Sequence, residues 1–81
     1  DMSRYSKTNN NITLNYGWDH ALGYWYDLID ESILDDEDNP KLLEEKSSFI
    51  DRLNRGDFLT LLDKWQVPDN HRLLAAMDLP F

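Results

Sequence analysis

The chain has 81 residues, 41% of them hydrophobic, no cysteine and a formal net charge of −8. A single domain of this size buries only about 60% of the surface its unfolded chain exposes, and without cysteine it has no disulfides, thiolate metal sites or thiol catalysis, which fits a reducing compartment. So acidic a chain is repelled by phosphate backbones and anionic headgroups, and neither direct nucleic-acid binding nor membrane association is expected.

The charge is unevenly placed. Trp18 to Asn39 contains eight carboxylates (Asp19, Asp27, Asp30, Glu31, Asp35, Asp36, Glu37, Asp38) and no Lys or Arg, together with Trp18, Tyr24, Trp25 and Tyr26. The remaining eight acids are matched by eight bases. No run approaches the roughly 18 apolar residues of a membrane span, and the start lacks a secretory layout, so a cytoplasmic protein is expected. Asp1, ahead of Met2, reads as a remnant of a removed tag.

Residues 1–11 are polar, end in Asn9-Asn10-Asn11 and are expected to be a disordered tail outside a single globular domain spanning 12–81. Ile12, Leu14, Tyr16 and Trp18 then alternate with Thr13, Asn15, Gly17 and Asp19, the period of a half-buried strand. After His20-Ala21-Leu22-Gly23, the run Tyr24-Trp25-Tyr26 has high strand propensity, and the pair reads as an antiparallel hairpin. A helical face of Leu22, Trp25, Tyr26, Ile29 and Ile33 with Asp19 as cap competes, but Gly23 would cost such a helix about 1 kcal/mol relative to Ala. In the hairpin, Tyr24 and Tyr26 share a face opposite Trp25.

Asp35 to Asn39 is a charged loop closed by Pro40. Asn39-Pro40 is a favourable helix start, predicting a helix through Leu42, Leu43, Phe49, Ile50 and Leu53, with Ser48 to Asp51 as an alternative third strand. Gly56 and Asp57 are the expected stop and N-cap before the clearest helix, on which Phe58, Leu61, Leu62 and Trp65 recur at helical spacing. Val67-Pro68 breaks it, and a last short helix carries Leu73, Leu74 and Met77. The fold class is therefore α+β: an N-terminal antiparallel hairpin of two or three strands packed on two or three short helices. The expected core is Leu14, Tyr16, Trp25, Ile29, Phe49, Leu53, Phe58, Leu61, Leu62, Trp65, Leu73, Leu74 and Met77.

No catalytic constellation assembles. His20 and His71 are distant in sequence and suit capping or surface roles, and there is no nucleophile elbow, phosphate-cradling glycine loop or zinc-protease helix. Asp36 to Pro40 lacks the glycine and distal glutamate of a calcium loop, so no metal or other cofactor is expected. Arg55-Gly56-Asp57 is accounted for by a helix boundary rather than by adhesion. The two last helices have the outline of a helix-turn-helix, but the second offers only His71 and Arg72 to read bases.

A solvated loop is the ordinary meaning of such a charge run. Interleaved with aromatics, however, carboxylates can occupy Arg and Lys sites that otherwise hold phosphates. The expected function is a non-enzymatic acidic binding protein that inhibits or masks a basic, nucleic-acid-binding surface of a partner protein. Small acidic inhibitors by which phages blunt host nucleases, of the anti-CRISPR kind, share this logic of charge and size. Asp27, Asp30, Glu31, Asp35, Asp36, Glu37 and Asp38 would engage cations, with Trp18 and Tyr24 as anchors. The alternative is a small regulatory or structural subunit, of antitoxin or assembly-factor type, binding through apolar helices or the hairpin edge, and a homodimer through that hairpin is the secondary expectation.

Overall fold

The computed structural model describes residues 2–81; Asp1, read above as a tag remnant, lies outside the described residues. The architecture is α+β. Strands β1 (Tyr5–Asn9), β2 (Ile12–Asp19), β3 (Gly23–Leu34) and β4 (Pro40–Ser47) are followed by helices α1 (Ser48–Asp51), α2 (Arg55–Lys64) and α3 (Asp69–Ala76). The strands form one antiparallel sheet in the order β1-β2-β3-β4, a plain meander with four strands rather than two or three.

The predicted hairpin is β2–β3, paired from Ile12↔Asp30 to Asp19↔Gly23 without interruption. Gly23 closes its loop at φ 73°, a left-handed conformation open to glycine, and a side chain there would press on Ser48 Cβ at 2.9 Å. Asp19 is not a helix cap but caps this turn, accepting from the Ala21 amide at 2.7 Å.

Two expectations fail. Residues 5–9 are not a disordered tail but β1, joined to β2 by Asn10-Asn11 with Asn10 left-handed at φ 57°. Asn tolerates that conformation, so the asparagine run is a hairpin turn rather than a sign of disorder. β1 is held on both faces. Tyr5 packs on Tyr16 and His71, and the Lys7 ammonium donates to the Gln66 carbonyl at 2.7 Å. On the other side Ser6 bonds to Asn15 and Thr8 to Thr13.

The second failure is the helix expected from Pro40 to Leu53. Pro40–Ser47 is β4, because the far edge of β3 otherwise leaves its backbone groups unpaired, and Pro is tolerated at the start of an edge strand. Only Ser48–Asp51 turns helical, where the Ser47 hydroxyl accepts from the Ile50 amide, so it is not a strand either. Gly56 and Asp57 also shift roles. Asn54 is the N-cap of α2 and accepts from the Asp57 amide at 2.7 Å, while Arg52, left-handed at φ 58°, ends α1.

Both α2 and α3 lie on one face of the sheet. Leu14, Tyr16, Tyr24 and Tyr26 from the strands meet Phe58 and Leu62 of α2, Ala75 of α3, and Leu53 and Val67 from the connections. Tyr24 stacks on Phe58 with ring centres 5.1 Å apart. Truncating Phe58, which is fully buried, would cost about 3–5 kcal/mol. Of the expected core, Ile29, Leu61, Trp65 and Leu74 are half-buried, whereas Phe49, Leu73 and Met77 are exposed. On α3 the inward positions are His71 and Ala75, a different phase from the leucines.

Candidate functional site

Strand alternation divides the acidic stretch. With Tyr24, Tyr26 and Leu28 turned toward the helices, Trp25, Asp27 and Ile29 stand on the opposite sheet face, which neither α2 nor α3 covers. On β2 that open face carries Thr13, Asn15 and Gly17, and on β4 it carries Leu42, Glu45 and Ser47. Small polar residues form a bonded row across it. Ser6 Oγ donates to Asn15 Oδ1 at 2.5 Å, and Asn15 Nδ2 donates to Asp27 Oδ1 at 2.7 Å, which fixes the Asp27 carboxylate in place.

Residues 2–4 continue alongside β2, tied by the Ser3 amide to the Trp18 carbonyl and by the Trp18 amide to Ser3 Oγ. This approach requires a glycine. A methyl at Gly17 would overlap the Ser3 carbonyl. Gly17 is also the register partner of Trp25, and the Arg4 guanidinium lies over the Trp25 ring, 5.6 Å from its centre. Beside them is a groove of about 510 Å³ whose charged and aromatic lining includes Arg4, Trp25, Asp27, Glu45, Asp51 and Lys46, the last of which is paired with Glu44.

Two features of this groove do not serve stability. Asp27 and Glu45 are direct cross-strand partners, an arrangement of like charges that destabilises a sheet. The Trp25 indole Nε1 is buried without a hydrogen-bond partner among the described residues, and an unsatisfied buried donor costs about 1–3 kcal/mol.

The distal end of the β3–β4 hairpin forms a second acidic element. Residues 31–33 have no partners on β4, and Glu31 lies there, exposed. Asp30, on the helix-side face, accepts from both the hydroxyl and the amide of Ser32, which hold its carboxyl below the usual range. At the tip Asp35 is structural. Its Oδ1 accepts from the amides of Glu37 and Asn39 at 2.8 and 2.9 Å, organising the turn in which Asp38 is left-handed at φ 63°. Asp36, Glu37 and Asp38 are exposed beyond it. Exposed Ile33, Leu34, Leu42 and Leu43 flank the tip.

None of the eight carboxylates between Trp18 and Asn39 forms an ion pair with Lys or Arg among the described residues; those formed join Lys46 to Glu44 and Arg72 to Asp63 and Asp69. Of the two expected anchors, Tyr24 is 5% exposed and donates to the Leu79 carbonyl, and Trp18 is half-buried against the core. Trp25 is buried, as expected, at 8% exposure beneath Arg4, and it also lines the groove.

Arg4 and Glu45 were outside the expected site. Arg4 fell in a stretch read as disordered, and Glu45 in one read as helix. For the N-terminal stretch the one available signal is the Asn10-Asn11 turn pair ahead of the Ile12 strand; nothing comparable marks Glu45. His71, expected in a capping or surface role, is instead buried, with Nδ1 2.7 Å from the Tyr16 hydroxyl, and burial lowers its pKa. Among the described residues no group of three or more His, Asp or Glu side chains converges as metal ligands do, and no helix is long and apolar enough to cross a membrane. Compared with protein-family models, curated proteins and solved structures, the chain matches none of them.

Proposed function

We propose that this chain is a non-enzymatic acidic binding protein that masks a basic, nucleic-acid-binding surface of a partner protein. The observation that carries the reading is that, among the described residues, none of the eight carboxylates of Trp18 to Asn39 forms an ion pair with Lys or Arg, Asp30 alone having a lysine, Lys41, as its cross-strand neighbour. Acids held this way keep their field for an external cation, and complementary fields speed and orient encounter. The fixed geometry of Asp27, Asp30 and Asp35 supports the same reading, since preorganised groups lose less entropy on binding. Inhibition of a nuclease, in the manner of phage anti-defence proteins, is the biological setting that suits this chemistry.

A regulatory or structural subunit is a second reading, favoured by one observation: Leu42 and Leu43 are about half exposed on β4, whose outer edge pairs with no strand among the described residues. Affinity capture with the tagged protein separates the two. A basic partner should be retained at low ionic strength, released by high salt or added double-stranded DNA, and missed by the Asp36→Asn, Glu37→Gln, Asp38→Asn variant. Retention that survives both salt and that variant would overturn the acidic reading and favour the apolar edge.

A further inference from the structure

The groove on the open sheet face holds a cation already, and its surroundings are unfavourable without one. Arg4 lies over Trp25 within the range of cation–π attraction, yet it forms no ion pair with a carboxylate among the described residues. Asp27 and Glu45, opposed across β3 and β4 on the same face, repel each other and have no Lys or Arg bridging them. Asp27 cannot turn away, because Asn15 holds it. A planar aromatic floor beside two facing carboxylates is the arrangement that receives a guanidinium, which stacks with its flat face and donates from its edge to oxygen acceptors.

We propose that this groove is a receptor for an arginine side chain of the partner protein, with Trp25 as the stacking surface, Asp27 and Glu45 as acceptors, and the chain's own Arg4 as a resident competitor. The inference rests on the acidic-binding reading and specifies what that reading leaves open: the side chain recognised and where. Gly17 is what lets the competitor reach its seat, since residues 2–4 run beside β2 where a Cβ at this position would meet the Ser3 carbonyl. Arginine is favoured over lysine because an ammonium offers neither a flat face nor a paired set of donors. The tip carboxylates, lacking an aromatic partner, would steer the partner while the groove engages a chosen residue.

The test uses Nα-acetyl-argininamide as probe, with the indole N–H resonances followed by NMR and Trp25 assigned by Trp25→Phe. In Arg4→Ala the Trp25 signal should move saturably with the probe. In the unaltered protein the apparent affinity should be about threefold or more weaker, because Arg4 occupies the site for most of the time. Adding Asp27→Asn and Glu45→Gln to Arg4→Ala should abolish the saturable movement; if the triple variant fails to fold, as its amide spectrum would show, each acid substitution alone should weaken it.

The proposal is overturned if Arg4→Ala shows no saturable response, if the acid substitutions leave it unchanged, or if Nα-acetyl-lysinamide binds as well. Probe binding and partner capture, both measured on Arg4→Ala with the tip carboxylates intact, separate this inference from the broader reading. Probe binding retained while no salt-sensitive partner is captured would sink the partner-masking function alone. Partner capture retained while the probe leaves Trp25 unmoved would sink the arginine receptor alone.

Discussion

Tyr16 on β2 and His71 on α3, 55 positions apart in sequence, share a hydrogen bond of 2.7 Å between the phenol oxygen and Nδ1. Tyr5 and Phe81 pack against the same imidazole, at ring-centre distances of 4.1 and 5.2 Å. Burial lowers the His71 pKa from 6.5, so the folded protein holds this ring neutral where the unfolded chain would protonate it. The sign follows directly: His71 contributes stability that is fully present above about pH 6.5 and is lost as pH falls toward the lowered value. Denaturant unfolding at pH 7.5 and pH 5 should show lower stability at about pH 5, and His71→Gln should remove most of that difference. Tyr16→Phe leaves Nδ1 unpaired and should cost about 1–3 kcal/mol at neutral pH.

Gly17 is expected to be the least replaceable glycine. Gly17→Ala places a methyl against the Ser3 carbonyl, so either the sheet distorts or residues 2–4 lift away. Overpacking of this sort costs about 1–3 kcal/mol. Lifting would free Arg4 from Trp25, and limited trypsin digestion should then cleave after Arg4 much faster than in the unaltered chain. Equal cleavage rates and equal stability would show that the N-terminal segment is not held at this point.

The β2–β3 hairpin and α2 were legible in sequence because each carries one strong period: alternating apolar residues from Ile12 to Trp18, and Phe58, Leu61, Leu62 and Trp65 at helical spacing. The edge strands were not. β1 is built of Tyr, Ser, Lys, Thr and Asn, and β4 is exposed along nearly its whole length, so neither has an apolar face to reveal a period of two. β4 in addition has residues that favour helix, and its conformation is imposed by the backbone groups of β3 that need partners. The candidate site was half legible for the same reason. Its acids on β3 could be seen, but its cation lies in the segment just ahead of β1 and its second acid on β4, and only the folded sheet brings Arg4, Trp25, Asp27 and Glu45 together.

Tyr26 and Glu44 supply an alkaline limit. The Tyr26 hydroxyl donates to Glu44 Oε1 at 2.5 Å, and burial first, then the Glu44 carboxylate, raise the Tyr26 pKa well above 10. Tyr16 and Tyr24 are raised as well, chiefly by burial. A phenol protonated more tightly in the folded state stabilises it below the unfolded pKa and loses that contribution as pH rises past 10.0. Unfolding followed by tryptophan fluorescence should show stability falling above about pH 10, with the tyrosinate absorbance of Tyr16, Tyr24 and Tyr26 appearing together with unfolding rather than before it. Glu44→Gln should bring part of the tyrosine titration to lower pH.

The hairpin tip separates structure from charge within four consecutive acids. Asp35 accepts two backbone amides, so Asp35→Ala should loosen the turn and cost about 1 kcal/mol, as loss of a capping side chain does. Asp36, Glu37 and Asp38 lack Lys or Arg ion-pair partners among the described residues, and Asp38 sits in a left-handed conformation that Asn accepts readily. Asp36→Asn, Glu37→Gln, Asp38→Asn together should therefore leave stability within about 0.5 kcal/mol, or raise it slightly by relieving self-repulsion. The same variant should lose most of the salt dependence of partner capture. If Asp35→Ala alone abolished capture while the triple variant left it intact, the shape of the turn, and not its charge, would be what the partner meets.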